Sequence, residues 1–107
     1  MVWEQFGNVM DMVKRVQQYV SQTEDQLKSE RIEVTGSDVI KVSVNGQQSI
    51  LAVELNAKYL SEENATLLQD MIASTINDAL AKSRDMHQAA MTKLAGELNL
   101  PNIPGLF

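Results

Sequence analysis

The sequence predicts an α+β fold in a single domain over residues 1–107: a long N-terminal helix, a three-stranded antiparallel sheet and a long C-terminal helix. Three observations predict this order. Apolar residues recur with helical spacing before residue 30, short alternating runs surround an Asn-Gly pair, and a broad apolar stripe follows residue 61. A chain of 107 residues is long enough for one modest core and too short for a second.

Residues 1–30 are assigned to the first helix, whose helical pattern runs from the N-cap Asn8 to about Glu30. Its apolar seam has spacings of four and three residues, which is the heptad pattern of a helix that packs along one side. The seam consists of Val9, Val13, Val16, Val20, Thr23 and Leu27, and Met12 and Tyr19 widen it.

The antiparallel sheet is predicted over residues 31–60. Residues 31–35 alternate between apolar and polar side chains, and Gly36-Ser37-Asp38 is a turn cluster. Further along, Asn45-Gly46 predicts a two-residue hairpin turn. That turn would pair Val44 with Gln47, Val42 with Ser49 and Ile40 with Leu51, so that one face carries Ile40, Val42, Val44, Leu51, Val53 and Leu55.

The second helix is predicted over residues 61–96. Ser61 is the expected N-cap, and Glu62 and Glu63 follow it in the first turn, where the helix dipole favours acids. A broad apolar stripe runs from Leu67 to Leu94. Residues 97–107 form a tail that cannot be helical, since it contains two prolines.

The lengths of the two helices predict a homodimer. A compact protein of this size has a radius of gyration of about 13 Å, whereas the second helix alone would span about 53 Å at 1.5 Å per residue. The overhanging part still carries apolar side chains, among them Met86, Met91 and Leu94. We therefore expect an intertwined pair of chains related by a two-fold axis, which encloses these apolar surfaces.

The composition argues against catalysis and metal binding. The absence of cysteine excludes disulfides, thiol nucleophiles and thiolate metal sites. His87 is the only histidine, it has no ligand-like spacing to other residues, and it is interpreted as a surface histidine. We expect no catalytic residues, no cofactor and no metal. We also expect a cytoplasmic protein, because no apolar run reaches membrane-spanning length and the N-terminus lacks a basic signal region.

The basic residues of the helices admit two interpretations. The net charge of −5 argues against a protein that is basic overall, but a local strip of Lys82, Arg84 and Lys93 could contact phosphates. The alternative is ordinary helix electrostatics, because Asp78 lies four residues before Lys82 and Glu24 lies four residues before Lys28.

The order of the motifs resembles the YbaB/EbfC family of bacterial nucleoid-associated proteins over nearly the whole chain. The segments that carry the resemblance are "VTG" at 34–36, the Asn-Gly hairpin from Lys41 to Leu55, "LLQDMIASTINDAL" from Leu67 to Leu80, and Pro104-Gly105 in the tail. The resemblance implies a tweezer-like homodimer that binds double-stranded DNA in the nucleoid and has no enzymatic activity. The basic helix positions that it suggests for DNA contact are Lys14, Arg15, Lys82, Arg84 and Lys93.

The second hypothesis is an adaptor or chaperone-like dimer that binds proteins and not DNA. It is motivated by the apolar residues near both ends of the chain, Trp3, Phe6, Ile103, Leu106 and Phe107, and by the acidic net charge. The alternative, which a self-covering dimer favours, is that these ends cover the dimer core or fold against each other. A membrane partner is not expected, because the first helix lacks a Lys/Arg-rich polar face.

Overall fold

The computed structural model describes residues 2–98, and the side chains from Gly7 onwards. The elements are α1 (Val2–Ser29), β1 (Ile32–Gly36), β2 (Ile40–Val44), β3 (Ile50–Leu55), two short 3-10 helices (Ala57–Tyr59 and Glu62–Asn64) and α2 (Ala65–Glu97). The predicted α+β fold is confirmed. The predicted tail lies almost wholly outside the described residues.

The molecule is a rod. It measures 75 × 21 × 17 Å, and its radius of gyration of 20.2 Å far exceeds the value of about 13 Å for a compact protein of this length. The two long helices lie antiparallel: Glu30 and Met86 line one end of the groove between them, and Thr23 and Glu97 line the other. Because α2 ends there, the N-terminal part of α1 extends beyond it as a single helix.

The core lies between α2 and one face of the sheet. The strand order is β1-β2-β3, and all pairs are antiparallel. Val34 of β1 and the alternate β2 residues are buried against Ala79 of α2; those β2 residues are Ile40, Val42 and Val44. α2 packs mainly on β1 and β2. The same face of β3 is therefore left partly uncovered, and Val53 is 43% exposed.

The predicted pairing of the two hairpin strands is wrong. The predicted apolar face is right for Ile40, Val42, Val53 and Leu55, which pair with each other across the strands. Val42 pairs with Val53 and Ile40 with Leu55, a shift of four residues from the predicted pairs. Asn45 and Gly46 do not form a two-residue turn. The Asn45 amide donates to the Ser49 carbonyl at 3.0 Å, so three residues separate the two ends. A register shift after Ser43 brings Val44 opposite Ile50, and Leu51 is the extra residue of the bulge.

The loop of residues 45–49 is longer than predicted because it binds the C-terminal end of α1. The last carbonyls of any helix lack partners within the helix. Here the Gly46 amide donates to the Leu27 carbonyl at 2.8 Å, and the Asn45 side-chain amide donates to the Lys28 carbonyl at 3.3 Å. The Gln47 side chain donates to the Glu24 carbonyl at 2.8 Å. The loop thus holds α1 against the sheet.

Glycine is required at position 46 by close approach. A Cβ atom at this position would lie 2.8 Å from the Leu27 carbonyl oxygen and 2.8 Å from Leu27 Cδ2. The positive φ of the loop occurs at Gln48 instead, where φ is 61°. The Asn45 side chain stabilises this shape, because its Oδ1 atom accepts hydrogen bonds from the Gln47 and Ser49 amides at 2.9 and 3.0 Å.

A second apolar cluster fastens α1 to α2. Leu27 packs against Met91 and Leu94, and all three are nearly fully buried. Val20 and Leu98 are partly buried against the same cluster. Leu27 is the only member of the predicted heptad seam that is fully buried, because the seam loses its cover where α2 ends.

Two predicted helix caps are wrong. Asn8 lies inside α1, which already begins at Val2. Ser61 precedes the short 3-10 helix and makes no side-chain capping bond, and α2 begins only at Ala65. The side chain of Asn64, the residue before α2, donates to the Tyr59 carbonyl at 3.0 Å. A turn held by this hydrogen bond therefore precedes α2.

We expect Gly46→Ala to lower the stability of the protein. The new methyl group would overlap a backbone carbonyl that cannot move independently of α1, and overpacking of this kind typically costs about 1–3 kcal/mol. The measurement is urea or thermal unfolding followed by circular dichroism. Gly96→Ala is the matched control: nothing lies within 4 Å of its Cβ position in α2, so it should be neutral or stabilising. A Gly46→Ala variant as stable as the parent would contradict the role of the loop.

Candidate nucleic-acid interface

The nine Lys and Arg residues divide into two groups by location. Three lie in the sheet or its connections, and each of these is within 4 Å of a carboxylate. Arg31 contacts Glu33, Lys41 contacts both Glu33 and Glu54, and Lys58 contacts Asp38, at 3.2 to 3.7 Å. Six lie on the long helices: Lys14, Arg15, Lys28, Lys82, Arg84 and Lys93. Within residues 7–98, none of the six forms an ion pair.

Lys58, at the end of the sheet, shares its carboxylate partner with Tyr59. The Tyr59 hydroxyl donates to Asp38 at 2.7 Å, and the Lys58 ammonium group donates to the other Asp38 oxygen at 3.2 Å. The Tyr59 hydrogen bond, together with Lys58, lowers the pKa of Asp38, and the Asp38 carboxylate raises the pKa of Lys58 and of Tyr59. Lys58 therefore already has a carboxylate partner within the chain.

The helix ion pairs expected from sequence spacing are absent from the described side chains. Asp78 does not pair with Lys82, and Glu24 does not pair with Lys28. Glu24 instead faces α2 and the loop of residues 45–49. One of its oxygens is 2.9 Å from His87 Nε2, and the other accepts a hydrogen bond from the Gln47 side-chain amide at 3.0 Å. Among the described side chains, Lys28 therefore has no carboxylate within 4 Å.

His87 is not the plain surface histidine expected from the sequence. Its side chain is about one-third exposed, and it joins α2 to α1 through Glu24. Sequence spacing could not reveal this contact, because 63 residues separate the two partners. The contact gives His87 a structural role between α1 and α2.

All five residues that the resemblance suggests for DNA contact are exposed, but they do not form one patch. At about 100° per residue, Lys82 and Lys93 lie about 20° apart on one side of α2, separated by about 17 Å along its axis. Arg84 is about 200° from Lys82, so it lies on the opposite side. Lys14 and Arg15 lie on α1 beyond the end of α2. The structure thus spreads these cations along the rod.

The acids of α2 and its approach are concentrated near the sheet. Residues 61–80 contain Glu62, Glu63, Asp70 and Asp78 and no base, whereas the three bases of this helix follow residue 80. Salt screening limits the effect of a charge to about 8–10 Å under physiological conditions. The acids near the sheet therefore do not cancel the charge of bases that lie farther along α2. Residues 81–97 carry three bases and two acids, Asp85 and Glu97, a net charge of +1, whereas residues 2–22 of α1 carry two bases and two acids. Positive potential is therefore expected only around the bases in the second half of α2.

An open groove runs between α1 and α2 on the side of Lys93. It consists of two adjoining cavities of about 250 and 300 Å³, both lined by Thr23, Gln26 and Ala90. Lys93 and Glu97 lie at its outer end. Because Glu97 brings a negative charge to the same end, the groove itself is a poor site for a phosphate.

Other kinds of site receive no support from the described part of the chain. Among its residues, no group of three or more His, Cys, Asp or Glu side chains is placed to hold a metal ion. No helix within residues 2–98 has the length and apolar character needed to cross a membrane.

Comparison with known proteins identifies the family of the chain. The chain matches the family model described as the YbaB/EbfC DNA-binding family over residues 3–98. A nucleoid-associated protein of Syntrophobacter fumaroxidans is 36% identical over 110 aligned positions that cover both chains completely. Similar proteins of Pelotomaculum thermopropionicum and Desulforamulus reducens are 37% and 34% identical, covering 94% of this chain and 97% of each relative. The chain therefore belongs to the YbaB/EbfC family of DNA-binding, nucleoid-associated proteins.

Proposed function

We propose that the protein binds double-stranded DNA as a homodimer, through phosphate contacts from the cations of its two long helices. The observation that carries the proposal is the division of the cations: those of the sheet are held by carboxylates, and those of the helices are not. Membership of a DNA-binding family supports DNA as the polyanion. Lysines and arginines of both subunits would straddle the duplex backbone.

Binding of this kind has weak sequence selectivity. Base reading requires side chains such as Arg, Asn or Gln clustered on an element that enters the major groove. The helix cations are instead spread along a rod and lie on different sides of it. Phosphate contacts position a protein on DNA without reporting its sequence. A non-enzymatic role in nucleoid organisation or gene regulation follows, with the protein located in the cytoplasm at the nucleoid.

The homodimer is proposed from the apolar surface that a single chain leaves uncovered. Val53 of β3 faces the same side as the core residue Val42 but is 43% exposed. Leu60 and Leu67, in the connection to α2 and at its start, are 55% and 43% exposed. Apolar surface of this kind marks an interface. A second copy that covers the β3 side of the core would place two rods on one central body.

An adaptor without DNA binding is the second candidate function. The exposed apolar side chains of α1, among them Val9 and Met12, favour it. DNA titration separates the two candidates directly, because an adaptor would show no binding even at low salt.

We expect light scattering to give the mass of a dimer at micromolar concentration, and Val53→Asp to weaken that dimer. A carboxylate at Val53 would be buried without a partner in the proposed interface. Ala52→Asp is the matched control, because it adds the same charge to the same strand on the opposite face, opposite Ser43. A folded monomeric parent protein, or equal dissociation of both variants, would contradict the proposed interface.

DNA affinity is expected to fall steeply with salt. If one dimer engages about six phosphates, log K decreases with log salt concentration with a slope of about −5. Fluorescence anisotropy of a labelled duplex between 50 and about 200 mM salt measures the slope. Two duplexes of unrelated sequence should give similar curves. No binding at the lowest salt, or affinity that is independent of salt, would overturn the proposal.

The double variant Lys82→Ala/Lys93→Ala is expected to weaken DNA binding without a large change in melting temperature. Both side chains are exposed and make no ion pair among the described residues. Each lost phosphate contact should reduce the magnitude of the salt slope by about one. Lys41→Ala/Lys58→Ala is the control, since it removes the same two charges and both lysines already contact carboxylates. Equal loss of DNA binding in both variants would show that total charge, and not the helix cations, determines affinity.

A further inference from the structure

One face of α1 is apolar but is covered only near the C-terminal end of the helix. The uncovered part, here called the α1 stripe, consists of Val9, Met12, Val13, Val16 and Tyr19. Four of these five side chains are 42 to 55% exposed, whereas Leu27, on the same heptad seam, is 4% exposed. The difference arises because α2 covers Leu27 and ends before it reaches the α1 stripe. Exposed apolar surface of this extent marks an interaction site.

The α1 stripe continues a surface that already packs against a helix. Val9, Val13, Val16 and Val20 follow each other at spacings of four and three residues, and the same spacing leads on to Leu27. Leu27 packs against α2, which runs antiparallel to α1. A sustained spacing of this kind keeps the seam on one side of the helix, where a second helix can lie along it. The uncovered part therefore has the shape of a surface that binds a helix.

The charged residues of this part of α1 lie away from the α1 stripe. At about 100° per residue, the stripe covers about 120° of the helix surface and is centred on Val16. The charged residues of positions 7–22 are Asp11, Lys14 and Arg15. They lie about 140°, 160° and 100° from that centre, respectively. A helix that packs on the α1 stripe therefore buries none of these charges, and its own contact surface must also be uncharged, because an unpaired charge is costly to bury.

The α1 stripe of a second copy meets these requirements. It is an apolar helix surface of the same width, and two α1 helices that cross at their stripes about a two-fold axis bury the same residues on both sides. Residues 2–22 carry two bases and two acids, so this part of the rod is neutral although the whole chain has a net charge of −5. Two copies can therefore approach each other there without net charge repulsion.

We propose that the α1 stripe is a second interface between copies of this chain, through which the free ends of α1 from two dimers pair. Val9 lies about 27 Å along α1 from Leu27, which adjoins the sheet, so this surface is separate from the β3 surface proposed for the dimer. The α1 stripe spans only about 15 Å of helix. Interfaces well below the standard size are transient, so pairing is weak in free solution. It strengthens where neighbouring dimers are held close together, as on one DNA molecule.

Sedimentation equilibrium of the full-length chain without DNA tests the pairing. The mass of the parent protein should double between micromolar and millimolar concentration. Val9→Asp/Val13→Asp should weaken this second association by at least about tenfold, because the new carboxylates would be buried without partners. Gln17→Asp/Gln18→Asp is the matched control: it adds the same charge to exposed positions of the same helix, about 100° and 160° from the centre of the α1 stripe. The control should associate like the parent, and circular dichroism should show equal helix content in both variants.

Val53→Asp separates this interface from the proposed dimer, which the inference takes as its unit. Chains with Val53→Asp alone should still pair at high concentration, and Val9→Asp/Val13→Asp should abolish that pairing. A parent protein that is monomeric at micromolar concentration but still doubles in mass would contradict the dimer and support the α1 contact.

Three outcomes would overturn the α1 contact. The first is a parent mass that does not rise with concentration, which would leave the α1 stripe to a different protein. The second is equal association of Val9→Asp/Val13→Asp and its control. The third is loss of the micromolar dimer in Val9→Asp/Val13→Asp, because the α1 stripe would then belong to the dimer interface itself.

Discussion

The binding of the 45–49 loop to the end of α1 is the constraint on which the rest of the structure depends. α1 contacts the remainder of the molecule only near its C-terminal end, where the loop amides and side chains satisfy the Glu24, Leu27 and Lys28 carbonyls. Ser83 of α2 joins the same region, because its hydroxyl donates to the Asn45 carbonyl at 2.6 Å and accepts from the Gln48 amide at 2.8 Å. One loop therefore sets the direction of both helices.

This arrangement separates the stabilising interactions from the charges available to a partner. The sheet and the inner part of α2 hold the apolar core, and the cations near them are neutralised by carboxylates. Such surface ion pairs contribute little stability, about 0–1 kcal/mol each, but they remove local positive charge. The parts of the two helices away from the sheet pack on each other through Leu27, Met91 and Leu94, and their cations form no ion pair among the described side chains. This distribution of charge supports the proposed binding of a polyanion to the helices, although the whole chain is acidic.

The elements that could be predicted are those governed by local periodicity and turn chemistry. The apolar spacing of α1 and α2 and the Gly36-Ser37-Asp38 turn gave the correct fold, because each pattern acts within a few residues of the chain. The Asn45-Gly46 pair was misread for the opposite reason. Its preferred two-residue turn competes with hydrogen bonds to α1, 17 or more residues away, and those bonds select a longer loop. The side of α2 shared by Lys82 and Lys93 was predictable from helix geometry, whereas the partners of Glu24 were not.

The sequence by itself determined the order and length of the elements, the apolar face of each, and the family to which the chain belongs. Those features follow from local periodicity and from motifs that stay in order along the chain. Only the tertiary structure decided the hairpin register, the need for glycine at position 46, and which cations are paired. These features depend on contacts of 2.6 to 3.7 Å between residues that are far apart in the sequence. Packing of the whole chain creates such contacts, so no local sequence pattern encodes them.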